Sequence, residues 1–271
     1  MALLGTLTSS VSALDSFTTG LDTIGNNIAN INSTGFKGST VSFSDTFSGV
    51  GTQVNATSQS FAQGSLSSTG VNTNLGVSGN GFFIVKDPNS TPSIYYATRD
   101  GDFHFDDNGY LVNEEGYRVE GMTGGAGTTA PATYGDIKEG TPPTGTALSG
   151  VTIDASGNVI ETYSDGSSAT TNQVLLQNFT DPNSLQAQGN NLYTNLTAAG
   201  PVTPATAMTS ANAANQGGLG SIEAGTLEQS NVDLTTQFSN MISMQRAFEA
   251  NARMITISDT ILEDVVNMKT H

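Results

Sequence analysis

Acidic side chains cluster in one stretch of the chain, and oxygen ligands at this density could bind Ca²⁺. The stretch contains four aspartates and one asparagine: Asp100, Asp102, Asp106, Asp107 and Asn108. An EF-hand loop beginning at Asp102 requires glycine at its sixth position, where this chain has Asp107. The spacing therefore predicts a β-turn in which aspartate and asparagine side chains bond to nearby backbone groups.

Residue combinations that carry catalysis are missing from the sequence. The chain has two histidines, His104 between two phenylalanines and His271 at its end, and no cysteine. His-x-x-x-His, Glu-x-x-His and Gly-x-Ser-x-Gly do not occur. A carbohydrate-active enzyme would need two acids in an aromatic pocket, and tryptophan is absent. We therefore predict that the protein is not an enzyme and has no catalytic residues, cofactor or metal.

The composition bounds both the fold and the partners. Hydrophobic residues make up 36% and aromatic residues 7% of the 271 residues, so one thick core is not expected. Thin β-layers fit better, with helices that find apolar contacts in other copies. The 24 acidic and 8 basic residues give a net charge of −16, which excludes nucleic acid and anionic lipid as partners. No apolar run of about 18 residues occurs, so membrane insertion is not predicted.

The first 35 residues have the pattern of an amphipathic helix. Four apolar residues recur every seven positions: Leu7, Leu14, Leu21 and Ile28. This spacing predicts a helix with a coiled-coil seam. Three amides near its end, Asn26, Asn27 and Asn30, predict a defined helix exit with Gly35 as the C-terminal cap. Amides on the seam are also expected to fix the register between packed subunits.

The C-terminal end repeats the heptad pattern over a longer stretch. Five apolar residues fall seven apart: Leu234, Met241, Phe248, Ile255 and Leu262. Asn231 or Asp233 is expected to cap the start of this helix. Two heptad stripes at opposite ends of a chain predict that the two helices pair as a coiled coil. The alternative is two ordinary amphipathic helices that dock on the central domain.

The middle of the chain predicts antiparallel strands joined by tight turns. The turn 106–109 joins strands 103–105 and 110–112, and a second such unit covers 151–160. Stretches 121–149 and 197–220 predict exposed loops or linkers. The predicted fold class is α+β, with terminal helices pairing as a coiled coil around a mainly antiparallel β-rich middle. The segments are an N-terminal coiled-coil helix, a connecting segment, a β-rich outer domain, a linker and a C-terminal coiled-coil helix: 1–35, 36–75, 76–200, 201–230 and 231–271.

Three motifs, in order along the chain, resemble the flagellar hook and rod axial protein family. The first covers 21–30 and ends in Thr34-Gly35-Phe36-Lys37, the second covers 76–83, and the third covers 245–252. The chain is most similar to hook proteins, in a short form without their extra outer domain. The hairpin series 95–121 favours the hook, although 271 residues is short for a hook protein. The alternative within the family is a distal or proximal rod protein.

The resemblance implies a structural subunit that polymerises helically into a hollow tube, the hook that links rod to filament. The heptad residues and amides given above, together with Gln245 and Arg246, are then expected to pack between subunits. The implied partners are further copies of the chain, adjacent rod and hook–filament junction proteins, the hook cap and the flagellar type III export apparatus. The implied location is the extracellular flagellum, either hook or basal body, reached without a cleaved signal peptide. Outside the family, the alternative is an extracellular β-rich adhesin.

Overall fold

The computed structural model describes residues 2–46, 51–124, 133–201, 203, 208–209 and 212–269. The chain divides into two compact units. The terminal unit contains residues 1–31, 37–61 and 232–271, and the central unit contains residues 32–36 and 62–231. The fold is α+β with a mainly antiparallel β-rich middle, as predicted. No helix in the described ranges is long and apolar enough to cross a membrane.

The terminal unit consists of two long helices and one hairpin. Helix α1 covers Ala2–Ala29, strands β1 (Ser39–Asp45) and β2 (Thr52–Gln59) pair antiparallel, and helix α2 covers Leu234–Lys269. Asp233 caps α2, as one of the two predicted capping residues. Its carboxylate accepts hydrogen bonds from the Thr235 backbone N–H at 3.0 Å and from the Thr236 hydroxyl at 2.6 Å.

The central unit is built from sixteen strands in the described ranges. Their bounds are β3 Leu66–Ser68, β4 Leu75–Ser78, β5 Phe82–Lys86, β6 Tyr95–Thr98, β7 His104–Phe105, β8 Leu111–Val112, β9 Arg118–Thr123, β10 Thr133–Asp136, β11 Leu148–Ile153, β12 Asn158–Tyr163, β13 Ser168–Val174, β14 Leu176–Gln177, β15 Gln186–Gly189, β16 Leu192–Thr194, β17 Ser221–Ala224 and β18 Thr226–Glu228. The main sheet follows the order β11-β12-β13-β9-β5-β6-β16-β15, with β10 and β8 on β9, β14 on β5, and β7 on β8. Two small sheets pair β17 with β4 and β18 with β3. A short 3-10 helix covers Pro182–Ser184.

The tight turns predicted in the middle of the chain are confirmed. The Asp106 carboxylate accepts hydrogen bonds from the backbone N–H groups of Asn108 and Tyr110, at 2.9 and 2.7 Å. Asp154 binds the N–H groups of Ser156 and Asn158 in the same way, both at 2.9 Å. The acidic stretch therefore serves turn formation. No group of three or more potential metal ligands occurs in the described ranges.

The prediction of exposed loops at 121–149 and 197–220 is partly wrong. Within 121–149, β10 pairs with β9, and the side chain of Ile137 is fully buried in the core. Within 197–220, Ala199, Met208 and Ala213 are buried. A few apolar residues suffice in these stretches because the neighbouring strands supply the rest of the core. The parts of these stretches at 125–132, 202, 204–207 and 210–211, as well as His271, lie outside the described residues.

The sequence predicted Gly35 as the C-terminal cap of α1. This prediction is wrong, because α1 already ends at Ala29. The glycine has a positive φ of 65°. Its backbone N–H donates to the Glu228 carbonyl at 2.7 Å, and an added Cβ would lie 2.5 Å from the backbone nitrogen of Asp100. Glycine is required here because the backbone of residue 100 passes directly against it.

Substitution Gly35→Ala is expected to lower the free energy of unfolding of the central unit by roughly 2 kcal/mol or more, since it adds a backbone clash to the strain of a positive φ. Gly116→Ala is the matched control. Gly116 also has a positive φ, of 81°, but an added Cβ meets nothing within 4 Å. The control should cost about 1 kcal/mol. Differential scanning calorimetry compares the two variants, and equal losses would contradict the close approach.

Candidate functional site

The two terminal helices lie against each other in opposite directions. Near the end of α1, the Asn27 side-chain amide donates to Gln237 Oε1 at 3.2 Å, close to the start of α2. One heptad earlier in α1, a Cβ on Gly20 would lie 2.8 Å from the Met244 side chain, which is one heptad later in α2. The contacts advance along α1 as they retreat along α2, so the pairing is antiparallel.

The buried residues in the described part of α1 are small or polar except for Ile24. They are Ser10, Ala13, Ser16, Gly20, Ile24 and Asn27. The predicted heptad residues Leu7, Leu14, Leu21 and Ile28 are half-buried beside this contact row. Short side chains on the contact row let the two helices approach closely, and the leucines then cover the flanks. On α2, the facing residues are also seven apart: Gln237, Met244, Asn251 and Ser258.

Asn27 joins three elements of the terminal unit. Its side chain is 2% exposed, accepts a hydrogen bond from the Ser39 N–H at 2.8 Å and donates to the Ser39 carbonyl at 2.7 Å. The same amide nitrogen reaches Gln237 on α2. Of the other two predicted amides, Asn26 is exposed and Asn30 donates to the Asn26 carbonyl at 3.0 Å. Asn27 therefore fixes the position of the hairpin and of both helices within one chain.

The hairpin packs on α1 through further contacts. The Ser16 hydroxyl donates to the Thr52 carbonyl at 2.9 Å, and the rings of Phe17 and Phe43 meet edge to face at 5.9 Å. A groove of about 470 Å³ remains beside the helix pair. Its lining includes Ile24, Val41, Gln237, Met244 and Ala247, and it holds no charged residue.

Helix α2 exposes most of its apolar side chains. Eleven of them are at least 36% exposed: Leu234, Phe238, Ile242, Phe248, Met254, Ile257, Ile261, Leu262, Val265, Val266 and Met268. Five of these lie on one side of the helix, spaced by three or four positions: Met254, Ile257, Ile261, Val265 and Met268. The predicted residues Met241 and Ile255 are half-buried, and Gln245 and Arg246 are exposed. An apolar surface of this length is typical of a helix that binds another protein.

The central unit contains buried charges that the sequence gave no reason to expect. Arg99 and Glu228 form an ion pair at 3.3 Å, with side chains 4% and 0% exposed. Glu228 also accepts from the Gly64 N–H at 2.8 Å, and Arg99 donates to the Gly79 carbonyl at 2.8 Å. Burial lowers the pKa of Arg99. Because Arg99, Glu228, Gly64 and Gly79 all belong to the central unit, this cluster holds connecting segments of that unit together.

A second charge cluster lies on three adjacent strands. Lys86 binds Asp136 and lies 3.2 Å from Glu120, and Arg118 donates to Asp136 at 2.8 Å. Burial and a hydrogen bond with Asp136 raise the pKa of Glu120. Burial alone would raise the pKa of Asp136, but hydrogen bonds from Glu120, Lys86 and Arg118 outweigh it and lower that pKa. The two basic and two acidic side chains of this cluster therefore pair across β5, β9 and β10.

Substitution Asn27→Ala is expected to lower the free energy of unfolding of the terminal unit by about 2–4 kcal/mol, because it removes three hydrogen bonds and leaves Ser39 polar groups unpaired. Urea unfolding followed by circular dichroism at the helix wavelength measures the effect. Asn26→Ala is the control, since Asn26 is its exposed neighbour, and its cost should stay below about 0.5 kcal/mol. Equal costs for the two variants would show that Asn27 does not join the three elements.

Known families match three segments of the chain. Residues 7–37 match the family described as flagella basal body rod protein, residues 76–161 match the flagellar hook protein FlgE/F/G D1 domain, and residues 223–268 match the flagellar basal body rod FlgEFG protein C-terminal region. The three segments coincide with the terminal helices and the first half of the central unit.

Whole-chain relatives extend this similarity. The flagellar basal-body rod protein FlgG of Bacillus subtilis is 33% identical, over 98% of this chain and 100% of its own length. FlgG of Borreliella burgdorferi is 30% identical, over 92% of each chain. The flagellar hook protein FlgE of Salmonella typhimurium is 41% identical over 138 residues, which cover 49% of this chain and 30% of that protein.

Proposed function

The chain belongs to the flagellar hook and basal-body rod protein family, and we propose that it is a subunit of the rod which polymerises helically into a hollow tube. Members of this family are structural proteins and not enzymes. The observation that carries the choice of the rod is the extent of the similarity. Rod proteins align with this chain over nearly the full length of both, whereas the hook protein aligns over 49% of this chain and 30% of itself.

A hook subunit, favoured by the sequence analysis, is the second candidate. One observation supports it: within the aligned part, identity to the hook protein reaches 41%, against 33% and 30% for the two rod proteins. The similarity to the hook protein covers only 30% of that protein and 49% of this chain, so the rod is the better proposal.

Polymerisation follows from the surface of α2. Eleven large apolar side chains on this helix are exposed in a single chain. Covering half of that surface in neighbouring copies would contribute on the order of 10 kcal/mol before ordering costs. A contact between two different surfaces repeats from copy to copy and builds a helical array when the rotation does not close. In this assembly the terminal helices pair as a coiled coil and line the inner wall.

The assembled subunit would occupy the axis of the bacterial flagellum. Its partners would be further copies of the chain, the neighbouring rod, hook, junction and cap proteins, and the flagellar type III export apparatus.

A strain that lacks this gene is expected to form basal bodies with truncated or missing rods and without hooks, because a rod subunit is needed before the hook can be built. Electron microscopy of isolated basal bodies measures this, and complementation with the intact gene is the control. Complete rods without hooks would favour the hook instead. Normal flagella would overturn both assignments.

Substitution Ile261→Asp is expected to abolish assembly and motility while the central unit still folds, because it places a charge in the exposed apolar surface of α2. The matched control is Thr256→Asp. It adds the same charge at an exposed position that is not part of the stripe formed by Met254, Ile257, Ile261, Val265 and Met268. Motility and the yield of isolated basal bodies measure the effect. Normal assembly of the Ile261→Asp variant would contradict a role for this surface.

A further inference from the structure

Helix α1 carries a row of exposed residues along one side. The row is spaced by four, three and four positions: Val11, Asp15, Thr18 and Asp22. Asp15 and Asp22 are the only charged residues among the 28 of α1, and neither forms an ion pair within the described ranges. Along the helix axis, the two aspartates lie about 10 Å apart. Val11, at the end of the row, is 57% exposed.

Helix α2 carries a row with the same spacing. Its members, all exposed, are Arg246, Ala250, Arg253 and Ile257. Among the basic side chains that the structure describes, only Arg246 and Arg253 lack a partner, since each of the others has an ion pair, an aromatic ring or another electrostatic contact. Ile257, at the end of the row, is 52% exposed. The only free described cations in this acidic chain therefore lie one heptad apart on one helix.

Both rows face away from the helix pair of their own chain. Each charged residue follows a residue of the contact rows by two positions, as Asp15 follows Ala13, Asp22 follows Gly20, Arg246 follows Met244 and Arg253 follows Asn251. Two positions rotate by about 200° around a helix. The α1 row and the α2 row therefore lie on opposite outer sides of the pair, and they cannot meet within one chain.

We propose that the α1 row of one copy binds the α2 row of the next copy. This inference rests on the proposed function, in which many copies share one polarity along a tube. Because α1 and α2 run in opposite directions within each chain, α1 of one copy meets α2 of its neighbour antiparallel. One register then matches all four positions: Val11 with Ile257, Asp15 with Arg253, Thr18 with Ala250, and Asp22 with Arg246.

The register is specific because each of its four positions pairs side chains of compatible size, polarity or charge. One end of the register places Val11 on Ile257, an apolar side chain on an apolar side chain, and the position between the two aspartates places Thr18 on Ala250. Two ion pairs flank this position. A shift by one heptad in either direction leaves a single ion pair and places Ser239 or Thr260 opposite the other aspartate, so the matched register is favoured.

The contact explains how a helix pair forms a wall. Each copy offers two different surfaces on opposite sides, so every copy can bind two neighbours and the chain of contacts does not end in a dimer. The two surfaces carry opposite charge, which also opposes pairing of like rows.

Cross-linking of assembled structures tests the pairing directly, because the chain has no native cysteine. The double variant Asp15→Cys with Arg253→Cys, treated in isolated basal bodies with a short bis-maleimide, should give a ladder of dimers, trimers and larger products. Asp15→Cys with Glu263→Cys, where Glu263 lies outside the row, is the matched control and should give no ladder. Absence of a ladder from the first variant, or an equal ladder from the control, would overturn the proposal.

Charge exchange tests whether the pairing acts between chains. Asp15→Lys with Asp22→Lys, and separately Arg246→Glu with Arg253→Glu, should each reduce assembled protein about tenfold. Combining all four changes in one chain should restore assembly. Expressing the two double variants together should also restore it, because opposite rows again meet across chains. If the fourfold variant restores assembly and the two double variants expressed together do not, the rows pair within one molecule and the proposal is overturned.

The same experiments separate this proposal from the function on which it rests. If isolated basal bodies do not contain the unmodified chain, the proposed function fails. If they contain the chain, and the charge variants assemble as well as the unmodified chain does, the function stands and the pairing of the two rows is wrong.

Discussion

Helix α1 has to pack on the hairpin and on α2 at the same time, and most of the terminal unit follows from that requirement. A helix with two neighbours has little room for bulky side chains where they meet. The junction is filled by Gly20, by serines and by Asn27, whose amide satisfies the backbone of Ser39 and reaches Gln237. Short polar residues thus do what leucines do in an isolated two-helix coiled coil, and they hold one arrangement because a buried amide tolerates few alternatives.

The terminal unit leaves many apolar side chains outside this junction, where a single chain does not bury them. Leu7, Leu14 and Leu21 of α1 are only half-buried, and α2 exposes eleven large apolar residues. A single chain cannot bury them, since its hairpin and α1 already occupy the inner face. The free energy that remains available for neighbouring copies is therefore a direct consequence of how one chain folds.

The central unit has the opposite character. Its charges, such as Arg99 with Glu228 and Lys86 with Asp136, find their partners inside the unit, and its strands enclose a continuous apolar core. Breaking such a pair would leave an uncompensated buried charge, which is costly. The central unit therefore buries its core and pairs these charges within one chain, whereas the proposed contact pairs Asp15 and Asp22 of the terminal unit with arginines of another copy.

The sequence by itself determined the two terminal helices, the tight turns at Asp106 and Asp154, and the family, because these depend on local spacing and on short motifs. It narrowed the cap of α2 to Asn231 or Asp233, and the structure decided for Asp233. It did not determine which helix residues are buried. The heptad leucines pointed to one seam, and the contact row of Ser10, Gly20 and Asn27 was decided by the hairpin, which adds a third partner that periodicity cannot reveal. The same holds for Gly35, for Ile137 and for the buried pair of Arg99 and Glu228, whose partners are distant in sequence. Such contacts exist only once the sheet has brought those segments together.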